Sequence, residues 1–145
     1  MLMHVFSRDD KGKVIASHEL LLDDIYYWTV EKTSTIVFTT KKGVFFKTAK
    51  FEELALLCKD QLEVVRTERV IMVNASNVVK YDSESGKVYF GEDLANCLWT
   101  YIATSRLMKL KSIVGVEKDI ADRKSAIYAP ASKKRLLNNL FSLMS

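Results

Sequence analysis

Apolar and polar positions alternate with a period near two through most of the chain, and lengthen to a helical period in few places. Residues 3–8 and 13–22 carry Val, Ile, Leu and Phe in short runs on either side of "RDDKGK". This polar turn, with Gly12 in it, predicts a hairpin. "DDIYYWTV" follows as an aromatic and β-branched strand, and the five polar residues "EKTST" interrupt it. "TIVFTTKKGVFFKTA" then predicts strand, turn at Lys41-Lys42-Gly43, and strand. Ile36 and Phe38 fall on one face, Thr35, Val37 and Thr39 on the other.

The first helical period is in "TAKFEELALLCKDQL", where Phe51, Leu54, Ala55, Cys58 and Leu62 form one apolar stripe. Thr48 is the predicted N-cap, and Glu52 and Glu53 sit near the positive end of the helix dipole. "EVVRTERVIMVN" at residues 63–74 comes next. "VIMV" predicts a core strand, Arg66 and Arg69 lie on the loop that feeds it, and Asn74 at its end either closes it by bonding backbone or contacts a partner. "NVVKY" and "VYFG" predict a second hairpin, with Gly86 at the bend, and "CLWTYIAT" a last strand. "SRLMKLKSIV" has Leu107, Leu110 and Val114 on one side of a helix, with Lys109 and Lys111 off it.

Beyond a weaker helical signal at 117–129, Pro130 marks a boundary. "SKKRLLNNLFSLMS" predicts an amphipathic helix with Leu136, Leu137, Leu140, Phe141 and Met144 on its apolar face. Lys133, Lys134 and Arg135 crowd its first turn, where the dipole disfavours cations. They are either a solvated basic end or a contact for phosphates or an acidic partner.

The chain has 145 residues, 48% hydrophobic and 28% charged, enough for one domain with its own core. No apolar run approaches the roughly 20 residues that span a bilayer, and "MLMHVFSRDDKGK" becomes charged too early for a signal peptide. A soluble, cytoplasmic protein is expected. Net charge is +4, unevenly spread: residues 51–110 hold seven Lys/Arg against nine Asp/Glu, and residues 111–145 seven against three. Any anion-binding role for the middle of the chain must therefore rest on a few placed residues.

Catalytic and metal chemistry finds little support. Cys58 and Cys97 lie in apolar stretches and are expected as buried thiols, and His4 and His18 have no ligand spacing around them. The acidic pairs Asp9-Asp10, Asp23-Asp24, Glu52-Glu53 and Glu92-Asp93 suit turns and caps, since neighbours on a strand point to opposite faces. The expectation is a protein without enzymatic activity, metal, cofactor or small-molecule substrate.

Three polar junctions place Lys or Arg beside hydroxyls: Lys32, Thr33 and Ser34; Arg66, Thr67 and Arg69; and Thr104, Ser105 and Arg106 with Lys109 and Lys111. Such groups bind phosphates, and Arg also reaches guanine edges. In order and spacing, residues 13–114 resemble the LytTR DNA-binding domain of bacterial transcription regulators. The match runs through a strand of the "DDIYY" type at Asp24 to Tyr27, a helix near residues 49–60, Arg66, Arg69, Val73 and Asn74, a hairpin, and Ser105-Arg106. The resemblance implies an elongated, mainly β fold of antiparallel strands with one short helix and an α-helical C-terminal extension. It divides the chain into a domain at 1–114 and an extension at 115–145, with no receiver domain before it. Strand-connecting loops are then expected to enter major grooves of double-stranded DNA, Ser34, Arg69 and Arg106 facing base edges. Lys32, Arg66, Ser105 and Lys109 would hold phosphates, with Thr33, Thr67, Glu68 and Lys111 in support. Glu68 stands where the family often has His, and Val70 where Ser is usual; Glu68 either accepts from a cytosine amino group or orients Arg69. The resemblance also implies a homodimer on DNA, with residues 130–145 as a regulatory or dimerising contact. The other reading is a protein-interaction module on the same fold that modulates a related regulator.

Overall fold

The computed structural model describes residues 2–32 and 34–121. The amphipathic helix expected at 133–144 lies outside them. Ten strands form two sheets. The first, of seven strands, runs β2 (Val14–Leu21), β1 (Leu2–Arg8), β5 (Gly43–Thr48), β4 (Thr35–Thr40), β3 (Ile25–Lys32), β7 (Ile71–Asn74), β6 (Val64–Glu68). The second is a three-stranded meander of β8 (Lys80–Asp82), β9 (Lys87–Tyr89) and β10 (Trp99–Tyr101). Every pairing within the two sheets is antiparallel. Among the described residues, helices α1 (Phe51–Cys58) and α2 (Leu107–Val114) accompany the sheets, and the class is the mainly antiparallel β one expected.

The large sheet carries a hydrophobic core on each face. On one, Trp28, Ile36, Phe38 and Met72 pack with Phe51, Leu54 and Cys58 of α1. On the other, Val65 and Val73 pack with Tyr81, Val88 and Phe90 of the second sheet and Leu110 and Val114 of α2. Register explains the division. Trp28 stands opposite Met72, and Tyr27 opposite Val73, so adjacent residues of one strand feed opposite cores.

Local chemistry accounts for several departures from expectation. The polar run "EKTST" is not a loop throughout: β3 continues through Glu31 and Lys32, and Lys32 pairs with Thr35, with Ser34 in the turn. Exposed polar side chains are compatible with a strand end whose backbone is paired. Thr48 is not the cap of α1. It is the last residue of β5, paired with Thr35, and the helix begins two residues later at an N-cap position occupied by Lys50, without a side-chain cap. The Arg66 segment is a strand, β6, rather than a loop, and "VIMV" shortens at its start because Val70 belongs to the turn. Cys58 is fully buried, but Cys97 is only half-buried.

Two positions make specific demands on the chain. Gly86, at φ +70, closes the β8–β9 hairpin, and a Cβ there would lie 2.9 Å from the carbonyl of Ile102. Asn74, fully buried at the end of β7, donates from Nδ2 to the Ile25 carbonyl at 3.0 Å and accepts from the Ser76 amide at 3.3 Å. It closes the strand by bonding backbone, as its position suggested. Residues 115–121, on the extension side of the expected boundary at 114, pack against the second sheet. Tyr81 Oη donates to the Gly115 carbonyl at 3.0 Å, and Ala121 is buried.

Asn74→Ala removes the buried side chain that donates to the Ile25 carbonyl and accepts from the Ser76 amide. Urea unfolding should report a loss of about 1–3 kcal/mol, and an unchanged midpoint would show the side chain to be dispensable. Burial also raises the Cys58 thiol above its ordinary pKa. In the native protein an alkylating reagent at neutral pH should modify Cys97 and spare Cys58 until denaturant is added, as read by peptide mass spectrometry.

Candidate nucleic-acid interface

At the end of the large sheet where β6 turns into β7, an open cleft of about 480 Å³ is lined by Phe51, Glu52, Arg66, Glu68, Arg69, Val70, Ala103, Ser105 and Arg106. Three separate segments build it: the start of α1, the β6–β7 hairpin, and the single 3-10 turn Thr104–Arg106 that precedes α2. The 3-10 turn is tied to the edge strand by backbone, the Ala103 amide donating to the Thr67 carbonyl at 2.7 Å. Two of the polar junctions seen in the sequence therefore meet in one site.

Within it the arginines differ. Arg66, on the α1 face of β6 opposite Met72, lies over the Phe51 ring at 5.0 Å from its centroid. Its Nε donates to the Arg69 carbonyl at 3.0 Å, and its Nη2 donates to Glu52. An exposed ion pair contributes about 0–1 kcal/mol, whereas burying a Met or Val side chain contributes roughly 1.5–3. Packing of Met72 and Val73 thus places the hairpin, and the Arg66–Glu52 pair orients what it carries. Arg69 in the turn and Arg106 at the end of the 3-10 turn are exposed, and neither makes a salt bridge among the described residues. Ser105 is exposed beside Arg106, and Glu68 ends β6 opposite Ile71.

The remaining predicted residues are placed elsewhere. Lys32 and Ser34 are exposed at the β3–β4 turn. Because Thr29 pairs with Ile71, β3 runs on to Lys32 in the direction in which β7 begins, which puts this turn at the same end of the sheet. They do not line the cleft. Thr33 lies outside the described residues.

Thr67 is 0% exposed, so its hydroxyl reaches no phosphate. The bulge between Arg66 and Glu68 turns it inward, and its contribution is the carbonyl that holds Ala103. Lys111 is directed to Asp119, Nζ to Oδ2 at 3.7 Å, rather than outward. Lys109 lines a second cleft of about 530 Å³ with Asp23, Asp60 and Glu63. Neither lysine lines the arginine cleft: Lys111 turns to Asp119, and Lys109 lines the second cleft. Glu52 and Phe51 were missed as site residues. Nothing in the local pattern distinguishes them from an ordinary first helical turn.

Among the described residues no group of three His, Cys, Asp or Glu could hold a metal ion, and no helix is long and apolar enough to cross a membrane. No protein-family model matches the sequence, and no curated protein does. Among solved structures, the chain is similar to the LytTr DNA-binding domain of a Bacillus cereus protein described as a methyl-accepting/DNA response regulator. The two are 11% identical, with a TM-score of 0.58 over 79% of this chain and 96% of that one. The fold is of LytTR type.

Asp119 is wholly buried, with its Oδ1 accepting from the Ser83 and Ala121 amides at 3.1 and 3.0 Å. Lys111→Met removes the ammonium beside that carboxylate and should lower stability by about 1–3 kcal/mol in urea unfolding. A stability equal to the parent's, together with weakened anion binding, would return Lys111 to the surface role expected of it.

Proposed function

We propose that this chain binds double-stranded DNA sequence-selectively and regulates transcription, with the Arg69–Arg106 cleft as its reading site. The observation that carries this reading is the convergence of two exposed arginines and Ser105 from separate segments onto one open cleft. Guanidinium groups held without a carboxylate partner are suited to phosphate oxygens and to the O6 and N7 edge of guanine. The LytTR-type fold supports it, as does the β3–β4 turn with Lys32 and Ser34 at the same end of the sheet, which we read as a second contact along the duplex. Arg66 supports the site from behind, and Glu68 stands where it accepts from a cytosine amino group. On DNA, two copies occupying repeated half-sites fit this reading.

A second reading rests on the carboxylates. Glu52 and Glu68 line the same cleft and offset much of its positive charge. A protein-interaction module on the LytTR-type fold, modulating a related regulator, follows from weighting them more heavily.

Mobility shifts over genomic fragments separate the two, with a salt titration to count phosphate contacts. Arg69→Ala and Arg106→Ala should each cost about 1–3 kcal/mol on the selected site and less on random DNA. Variants that select the same fragments with the parent's affinity would remove these arginines from the interface. A parent that shifts no fragment even at low salt favours the interaction module.

A further inference from the structure

The two edges of the seven-stranded sheet are treated differently by the chain. At one edge β6 is only five residues long, carries a bulge between Arg66 and Glu68, and has its Thr67 carbonyl occupied by Ala103. Short, bulged and covered strands are how proteins prevent unwanted pairing. At the other edge β2 has eight residues and pairs with β1 in unbroken register from Leu2–Leu21 to Ser7–Ala16. Only Leu20 of β2 is buried, while Val14 and Ile15 are 56% and 62% exposed. It contains no proline, and Glu19 is the one carboxylate along its length.

We propose that β2 pairs antiparallel with β2 of a second copy of this chain, about a two-fold axis at Ala16, joining the two large sheets into one. The outward backbone groups of a strand alternate residue by residue, and directly opposed residues of an antiparallel pair must be of the same hydrogen-bonding kind. A strand pairing with its own copy therefore opposes residues whose numbers sum to an even value, and the axis falls on a residue. An axis at Ser17 sets Ile15 against Glu19 and Lys13 against Leu21, apolar against charged. An axis at His18 brings two imidazoles face to face and leaves Lys13 unopposed. An axis at Ala16 sets Lys13 against Glu19 on both sides and puts the smallest side chain where the copies meet. Of the three, only that register opposes Lys13, the residue just before the strand, to Glu19.

His18 stays with its own sheet throughout, its Nε2 2.9 Å from Ser7 Oγ and its ring edge-on to Phe45. The arginine cleft, at the β6 end, remains open in both copies. The inference goes beyond the DNA-binding reading and stands or falls without it.

Sedimentation velocity on the full chain without DNA, over a micromolar concentration series, tests it. The parent should show a monomer–dimer equilibrium. Ile15→Lys should weaken it at least about tenfold with an unchanged circular dichroism spectrum. K13E and E19K should each weaken the dimer, and the double variant K13E/E19K should recover it to within about threefold of the parent. A parent that stays monomeric throughout overturns the proposal, as does a dimer indifferent to Ile15→Lys, which would use another surface. Failure of the double variant to recover overturns the Ala16 register. A strand from a different protein captured on β2, with the parent itself monomeric, overturns the choice of partner.

Discussion

Strand β7 is buried on both of its faces, and the arrangement of the arginine cleft depends on that. Met72 belongs to the core beneath α1 and Val73 to the core shared with the second sheet and α2. A strand covered on one side only would alternate apolar with polar residues. One covered on both reads as a continuous apolar run, which is why Ile71, Met72 and Val73 follow without interruption. Displacing β7 would strip apolar surface from two cores at once, so the turn that precedes it has a firm base. Asn74 secures the other end by bonding to backbone across β3.

From that base the charge pattern of the hairpin follows. Strand period two sends Arg66 to the α1 face and Thr67 inward, and the bulge restores Glu68 to the rim before the turn presents Arg69. A guanidinium stacked on Phe51 and paired with Glu52 is immobilised and partly neutralised. One in the turn is hydrated and available. Two arginines three residues apart thus take different parts: Arg66 organises the rim and Arg69 faces outward. Arg106 joins them because the Ala103–Thr67 backbone bond docks the 3-10 turn on the edge strand.

Likeness to a solved LytTr domain at 11% identity shows how little of this fold depends on particular surface residues. In this chain the order of strand, helix and hairpin is carried by apolar periodicity and by turn residues such as Gly86. Those features were legible in the chain. The hairpins, the stripe of α1 and the faces of Ile36 and Phe38 follow from side-chain period alone, and Leu110 and Val114 mark the inner face of α2. Errors fell where backbone pairing overrode side-chain polarity. "EKTST" looked like a loop and is mostly strand, and Thr48 looked like a cap and is committed to a ladder.

By itself, then, the sequence determined most element types, the apolar faces of the strands and helices, and the residues at which basic groups meet polar turns. Tertiary structure alone decided which of those groups share a site. Arg69, Ser105 and Arg106 converge, whereas Lys109 lines a separate cleft, Lys111 turns to Asp119, and Thr67 is closed inside. The physical reason is that periodicity records on which face a side chain lies but not what packs against it. The neighbours of a face come from strand order and register, set by contacts between residues dozens of positions apart.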